Sequence, residues 1–176
     1  NLHVIRPADA NEVKGAWLAA LNYSYPTALV LTRQNLPTLN ETARPFSEGV
    51  GRGGYILKKE AGKCDYCLFA TGSEVSLAMD VASALEKQGK KVRVVSLPCW
   101  ELFNLQDAAY KESVTGGDLG QRVSIEAGVS FGWHRFIGDN GIAVAIDEFG
   151  LSAPMSDIVN ELGFTVDAIL NRLLSV

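Results

Sequence analysis

The stretch that decides the fold runs from Tyr66 to Leu97 and reads YCLFATGSEVSLAMDVASALEKQGKKVRVVSL. Its first five residues form an apolar run typical of a strand that is covered on both faces. Ser73 then stands where a helix cap is expected, and apolar residues follow it at helical spacing. Gly89 ends this helical pattern, and a second apolar run begins at Val92. The stretch therefore predicts a strand, a helix and a second strand.

Similar patterns extend this unit in both directions. Further apolar runs typical of strands occur at Tyr55 to Lys58, Arg122 to Glu126 and Ile142 to Ile146, and helical patterns lie between and after the later ones. Strands that alternate with helices predict an α/β fold with three layers and a mostly parallel, mixed sheet. We expect this sheet to occupy residues 55–176 and to be complete.

A shorter strand, helix and strand precede it. Leu2 to Ile5 predicts a strand, Asp9 with Glu12 resembles a capping box, and Thr27 to Thr32 predicts a second strand covered on both faces. The helix between them has one apolar face, formed by Val13, Ala16, Trp17, Ala20 and Leu21. Because two strands and a helix cannot close a core, we expect a partial βαβ unit that is the tail of a larger sheet.

Residues 37–54 differ in composition from their surroundings, with many glycines and prolines and little hydrophobic periodicity. A stretch of this length is longer than the usual connection of about 4–6 residues. We interpret it as an interdomain linker. The chain is thus predicted to have three parts: a domain tail at 1–36, a linker at 37–54 and a domain at 55–176.

Composition narrows the classes of function. The 176 residues carry 16 Lys and Arg against 20 Asp and Glu, with the two signs interleaved, which argues against nucleic-acid partners. No apolar stretch approaches the roughly 20 residues that span a bilayer, so no membrane partner is expected. Three cysteines, an odd number, suit a reducing compartment, and we expect a cytoplasmic protein. We expect no metal site at Cys64 and Cys67, because no second pair of ligands accompanies them.

Arg33 is the first candidate for a binding residue. It follows the second predicted strand, at the end of a parallel sheet where open α/β folds bind ligands. A guanidinium there offers a planar fork that matches phosphate or carboxylate oxygens. From the residues alone, a surface arginine that caps a strand or pairs with a linker carboxylate is an equal alternative.

Two other clusters are weaker candidates. Thr71 to Glu74 forms a strand-to-helix turn whose free N–H groups could hold an anion, but a plain helix cap is favoured. Glu126 and the run Trp133 to Arg135 could supply an acid and a base, yet no nucleophile or metal pattern joins them. We interpret this second cluster as structural, with Trp133 packed inside. The sequence contains no complete active site, and we expect no catalytic residue in this chain.

Several motifs, in order along the chain, resemble those of transketolases. The most specific is the run from Leu31 to Pro37, LTRQNLP, which resembles the end of the pyrimidine-binding domain of that family. Later motifs resemble the transketolase C-terminal domain: Gly53-Gly54-Tyr55, Ala70-Thr71-Gly72-Ser73-Glu74-Val75, Arg93-Val94-Val95-Ser96-Leu97-Pro98 and Gly163-Phe164-Thr165-Val166. The three predicted parts would then be the pyrimidine-domain tail, the linker and the C-terminal domain.

The resemblance implies an enzyme that moves a two-carbon ketol unit from a ketose phosphate to an aldose phosphate. It implies thiamine diphosphate and a divalent metal, Mg or Ca, in a homodimeric parent enzyme. The residues that bind these groups would lie upstream of Asn1, so we expect no cofactor in this chain alone. Arg33 matches the family's arginine that binds the substrate phosphate.

We therefore expect a fragment that is inactive in isolation. The start at Asn1, within four residues of an apolar run, also favours a fragment. A related thiamine enzyme such as dihydroxyacetone synthase is one alternative. A free-standing α/β binding or interaction module is another.

Overall fold

A computed structural model describes residues 1–175 of the chain. Val176, the last residue of the predicted third part, lies outside the described residues. The described chain forms two sheets, one of two strands and one of five. Among these residues, none of the helices has the length and apolar character needed to cross a membrane.

The first unit consists of β1 (His3–Ile5), α1 (Ala10–Asn22) and β2 (Thr27–Leu29). The strands pair in parallel, and the Asp9 carboxylate caps α1 by accepting the N–H groups of Asn11 and Glu12, so the predicted strand, helix and strand are confirmed. The second strand is shorter than predicted, however, and all three of its residues are only half-buried. Its length matches the three residues of β1 with which it pairs. The prediction that this strand is covered on both faces was wrong.

The buried face of α1 shares only Ala16 with the predicted one. Glu12, Ala16 and Ala19 are buried, whereas 56% of Trp17 and 78% of Leu21 is exposed. The side of α1 that carries Glu12 lies against the five-stranded unit, which supplies hydrogen-bond donors to the Glu12 carboxylate. Ala16 and Ala19, in an apolar cluster, and the polar contacts of Glu12 together form the packed face, and much of the predicted apolar face is left uncovered among the described residues.

Residues 37–54 lie along α1 and contain two short 3-10 turns, Phe46–Glu48 and Val50–Arg52. Val50 is buried and packs against Gly15 of α1. Gly53 has a φ of +74°, and a Cβ there would come within 2.2 Å of the backbone nitrogen of Phe103. Glycine at position 53 thus permits a close approach of two backbone segments at the entry to the larger sheet.

The five-stranded sheet is mixed, as predicted. Its spatial order places the first strand of the sheet at one edge, antiparallel to its neighbour, and all other pairs are parallel. In that order the strands are β3 (Tyr55–Lys58), β5 (Val92–Ser96), β4 (Tyr66–Ala70), β6 (Gln121–Ile125) and β7 (Ile142–Val144). The last strand ends two residues earlier than predicted.

Helices cover both faces of this sheet and give the three predicted layers. Alternate strand residues enter two cores: Leu68 and Val94 face one, Phe69 and Val95 face the other. The first core also receives the second and seventh helices, and the other core receives the third, fourth and fifth. The helices are α2 (Glu74–Lys87), α3 (Trp100–Asn104), α4 (Ala108–Thr115), α5 (His134–Ile137), α6 (Met155–Glu161) and α7 (Val166–Leu174).

Candidate functional site

Arg33 lies in a bend four residues after β2 and is exposed to solvent. Within residues 1–175 its guanidinium forms no ion pair with an aspartate or glutamate. The alternative of a pair with a linker carboxylate is therefore not observed. The guanidinium remains available to an anion beyond the carboxyl end of the two-stranded parallel sheet.

Hydrogen bonds between its two neighbours close the bend around Arg33. The Thr32 hydroxyl donates to Oε1 of Gln34, and the backbone N–H of Gln34 donates back to Thr32 Oγ1 at 3.4 Å. The other end of the Gln34 amide, Nε2, donates to Sδ of Met155 at 3.3 Å. Met155 begins α6, so the bend that carries Arg33 contacts the five-stranded unit.

A cavity of about 300 Å³ lies between this bend and the five-stranded unit. Gln34 and Leu36 line it on one side, and the start of α2, the residues after β7 and the helix α6 line the other. Its apolar wall includes Leu77, Ile146, Ile158, Val159, Leu162 and Phe164. The bend therefore lies across this cavity from the larger unit and contacts it through the Gln34 side chain.

The Thr71 to Glu74 turn has a structural role. The backbone oxygen of Arg6 accepts the Gly72 N–H at 3.1 Å and the Thr71 hydroxyl at 3.4 Å, so the residue after β1 occupies the place where an anion would bind. Ser73 occupies the N-cap position of α2, as predicted, but its hydroxyl donates to the Glu74 carboxylate at 2.7 Å and makes no capping hydrogen bond.

Glu126 and Trp133 are likewise structural, as expected. Trp133 is fully buried and its indole N–H donates to Glu126. The other oxygen of Glu126 pairs with the Arg6 guanidinium, which also lies 3.9 Å from Glu74. His134 and Arg135 are exposed, and the Arg135 guanidinium donates to Oδ1 of Asn104. Through Glu126 and Glu74, the Arg6 side chain thus links the first unit to the strand ends of the second.

A second junction between the units was missed in the sequence. Glu12 of α1 is buried and accepts hydrogen bonds from Ser96 Oγ at 2.6 Å, Tyr55 Oη at 2.7 Å and the Ala8 N–H at 2.8 Å. Burial raises the pKa of Glu12, and these three donors offset part of that rise. The only sequence signal is its spacing from Asp9, which helix capping alone would explain.

The cysteines offer no reactive thiol. Cys64, Cys67 and Cys99 are free and buried, and burial raises the pKa of each, that of Cys99 to about 12. Across residues 1–175, no group of three or more His, Cys, Asp and Glu side chains could hold a metal ion. The described residues thus do not fit a divalent metal, and we assign none of them to a metal-bound cofactor.

Comparison with known families agrees with the order of the motifs. The profile of the transketolase pyrimidine-binding domain matches residues 1–38, and that of the transketolase-like TK C-terminal domain matches residues 53–165. The chain belongs to the transketolase family. Within the family, it corresponds to the C-terminal part of a transketolase.

Individual transketolases match along the whole chain. The transketolase of Staphylococcus aureus is 49% identical over 177 residues, which cover 100% of this chain and 27% of that protein. The solved transketolase of Campylobacter jejuni has a TM-score of 0.87 and 39% identity, covering 100% of this chain and 26% of that one. The solved transketolase of Leishmania mexicana has a TM-score of 0.88 and 39% identity, covering 98% of this chain and 24% of that one. This chain therefore spans about a quarter of the length of these relatives.

Proposed function

We propose that this chain serves as the C-terminal part of a transketolase that transfers a two-carbon ketol unit from a ketose phosphate to an aldose phosphate. The observation that carries the proposal is the match to transketolases along the whole chain. Alone, the chain is inactive, because the catalytic and cofactor-binding groups belong to the remaining three quarters of the enzyme.

Arg33 is the residue through which this part of the enzyme binds substrate. An exposed guanidinium without an ion-pair partner in residues 1–175 keeps its donors available for a phosphate. Two parallel N–H donors fit two phosphate oxygens, and hydrogen bonds between charged groups are the strong ones. Its role is to hold the sugar phosphate, and the carbon chemistry takes place elsewhere.

The remaining features of the proposal concern the whole enzyme. Residues 1–36 form the tail of the pyrimidine-binding domain, 37–54 the linker and 55–176 the C-terminal domain, which supports the packing and the dimer. Thiamine diphosphate, with a divalent Mg or Ca ion, supplies the carbanion chemistry in a cytoplasmic homodimer. The partners of the enzyme are sugar phosphates, with no nucleic acid or membrane among them.

The test is Arg33→Ala in the full-length enzyme that contains this chain. We define the phosphate preference as kcat/KM for a ketose phosphate divided by kcat/KM for a ketol donor without phosphate. Loss of the charged hydrogen bonds should lower this preference about tenfold to hundredfold. Arg172→Ala, which removes another exposed arginine from α7, is the matched control. An equal loss with both donors, or no loss, would overturn the assignment.

A further inference from the structure

One side chain, that of Gln34, makes hydrogen bonds on both sides of the bend that carries Arg33. Gln34 is bonded at both ends of its amide: Oε1 accepts from Thr32 on the near side of Arg33, and Nε2 donates to Met155 of α6. Arg33 lies between Thr32 and Gln34, so any change in this pairing moves the backbone from which the guanidinium extends.

The guanidinium itself contributes nothing to holding the bend. Arg33 is exposed and has no carboxylate partner in residues 1–175, so the bend backbone sets the point and the direction in which its side chain leaves the chain. Binding that requires two parallel hydrogen bonds is sensitive to such direction, because a displacement of about 1 Å misaligns both.

The bend faces the C-terminal unit across a cavity. The cavity of about 300 Å³ separates the bend from most of α2 and α6, and Gln34 and Leu36 are the bend residues on its wall. The 3.3 Å contact from Gln34 Nε2 to Met155 Sδ crosses from the bend to α6. This contact links the position of Arg33 to the C-terminal unit.

We propose that Gln34 is a positioning residue for Arg33, and that through Met155 the C-terminal unit helps to set where the substrate phosphate is held. This inference rests on the proposed function, since it assumes that Arg33 binds the phosphate. It assigns to α6 a part in substrate recognition. A thioether is a weak acceptor, so the bond to Thr32 contributes more to the positioning than the contact with Met155.

The experiment measures the phosphate preference of full-length variants, with their melting temperatures. Gln34→Ala should lower the preference about threefold to tenfold, the usual size of coupling between neighbouring residues. Thr32→Val removes the hydroxyl and should reproduce most of this loss, whereas Thr32→Ser keeps it and should restore the wild-type value. Met155→Leu, which removes the sulfur at similar volume, should have the smallest effect. Gln88→Ala, at the exposed end of α2, is the control.

The Arg33→Ala background separates the two proposals. If Gln34 acts through Arg33, adding Gln34→Ala to Arg33→Ala produces no further loss of preference. A Gln34→Ala loss of equal size in both backgrounds would overturn the positioning role, as would wild-type preference in both Gln34→Ala and Thr32→Val. If Arg33→Ala itself keeps the wild-type preference, the proposed function fails as well. Should Gln34→Ala fold poorly, the Thr32→Val and Thr32→Ser pair decides.

Discussion

The two sheets of this chain differ in how they are stabilised. Every residue of β5, in the middle of the five-stranded sheet, is buried, whereas no residue of β2 is buried. The larger sheet closes two cores between its own helices. The smaller one leaves Trp17 and Leu21 exposed and is attached by α1. The five-stranded unit therefore has its own core, whereas the two-stranded unit depends on packing against its neighbour.

The attachment between the units combines a small apolar cluster with polar contacts. The apolar cluster joins Ile5, Ala16 and Ala19 of the first unit to Val50, Cys99 and Leu102. Glu12 bonds to Tyr55 and Ser96 at one end of the contact, and Arg6 pairs with Glu126 at the other. Buried polar groups are costly when a partner is lost, because the remaining donors or acceptors are left without water. The junction therefore fixes one geometry for the small unit, from whose second strand the Arg33 bend follows.

Two leucines give the largest test of this comparison. Leu68 in β4 is fully buried, whereas 78% of Leu21 in α1 is exposed. We expect Leu68→Ala to lower the free energy of unfolding by about 2–5 kcal/mol, since it leaves a cavity in the core. Leu21→Ala should change it by less than about 0.5 kcal/mol. Urea denaturation of the 176-residue chain measures both.

Equal losses for these two variants would break the comparison. They would mean that α1 has an apolar core of its own in solution. A loss at Leu21 alone would be a still stronger contradiction, because it would reverse the order of burial.

The junction gives the next effect in size, and it depends on pH. The substitution Glu12→Gln should lower the free energy of unfolding by about 1–3 kcal/mol at low pH. The reason is that an amide N–H₂ would face the Ser96 and Tyr55 hydroxyls or the Ala8 N–H. Burial raises the pKa of Glu12 in the folded state. The folded chain therefore binds this proton more tightly than the unfolded one. The difference in free energy of unfolding between the wild-type chain and Glu12→Gln falls as pH rises through the raised pKa.

Unfolding measured from pH 4 to pH 8 checks this direction. Glu161→Gln, which changes an exposed carboxylate on α6, is the control and should show no comparable trend. An advantage over Glu12→Gln that grows with pH would show that the hydrogen bonds to the carboxylate outweigh its burial. That result would contradict the predicted fall in stability with rising pH.

Much of the larger unit could be predicted from sequence, because its strands are buried on both faces and its helices are amphipathic. Runs such as Tyr66 to Ala70 have one stable interpretation under those conditions. The face of α1 could not be predicted in the same way. Apolar spacing pointed to Trp17 and Leu21, but the helix packs through Ala16, Ala19 and Glu12. The partners of Glu12 are 43 and 84 residues away. Local periodicity contains no information about such distant donors.

The candidate site shows the same division. Arg33 could be singled out from its place after a parallel strand, and the resemblance to transketolases supplied its role as a prediction. The bonds that shape its bend could not be found, because Met155 lies 121 residues further along the chain from Gln34. The pairing of Arg6 with Glu126 likewise depends on the folded arrangement of two sheets, which local sequence does not contain.

The most direct test of the central claim is an assay of ketol transfer by the 176-residue chain alone. The chain is supplied with thiamine diphosphate, Mg²⁺, a ketose phosphate and an aldose phosphate, and circular dichroism verifies that it is folded. The full-length enzyme that contains this chain is the positive control under the same conditions. We predict no transfer above the rate without protein. Transfer by the chain alone would contradict the claim that the catalytic groups lie outside it.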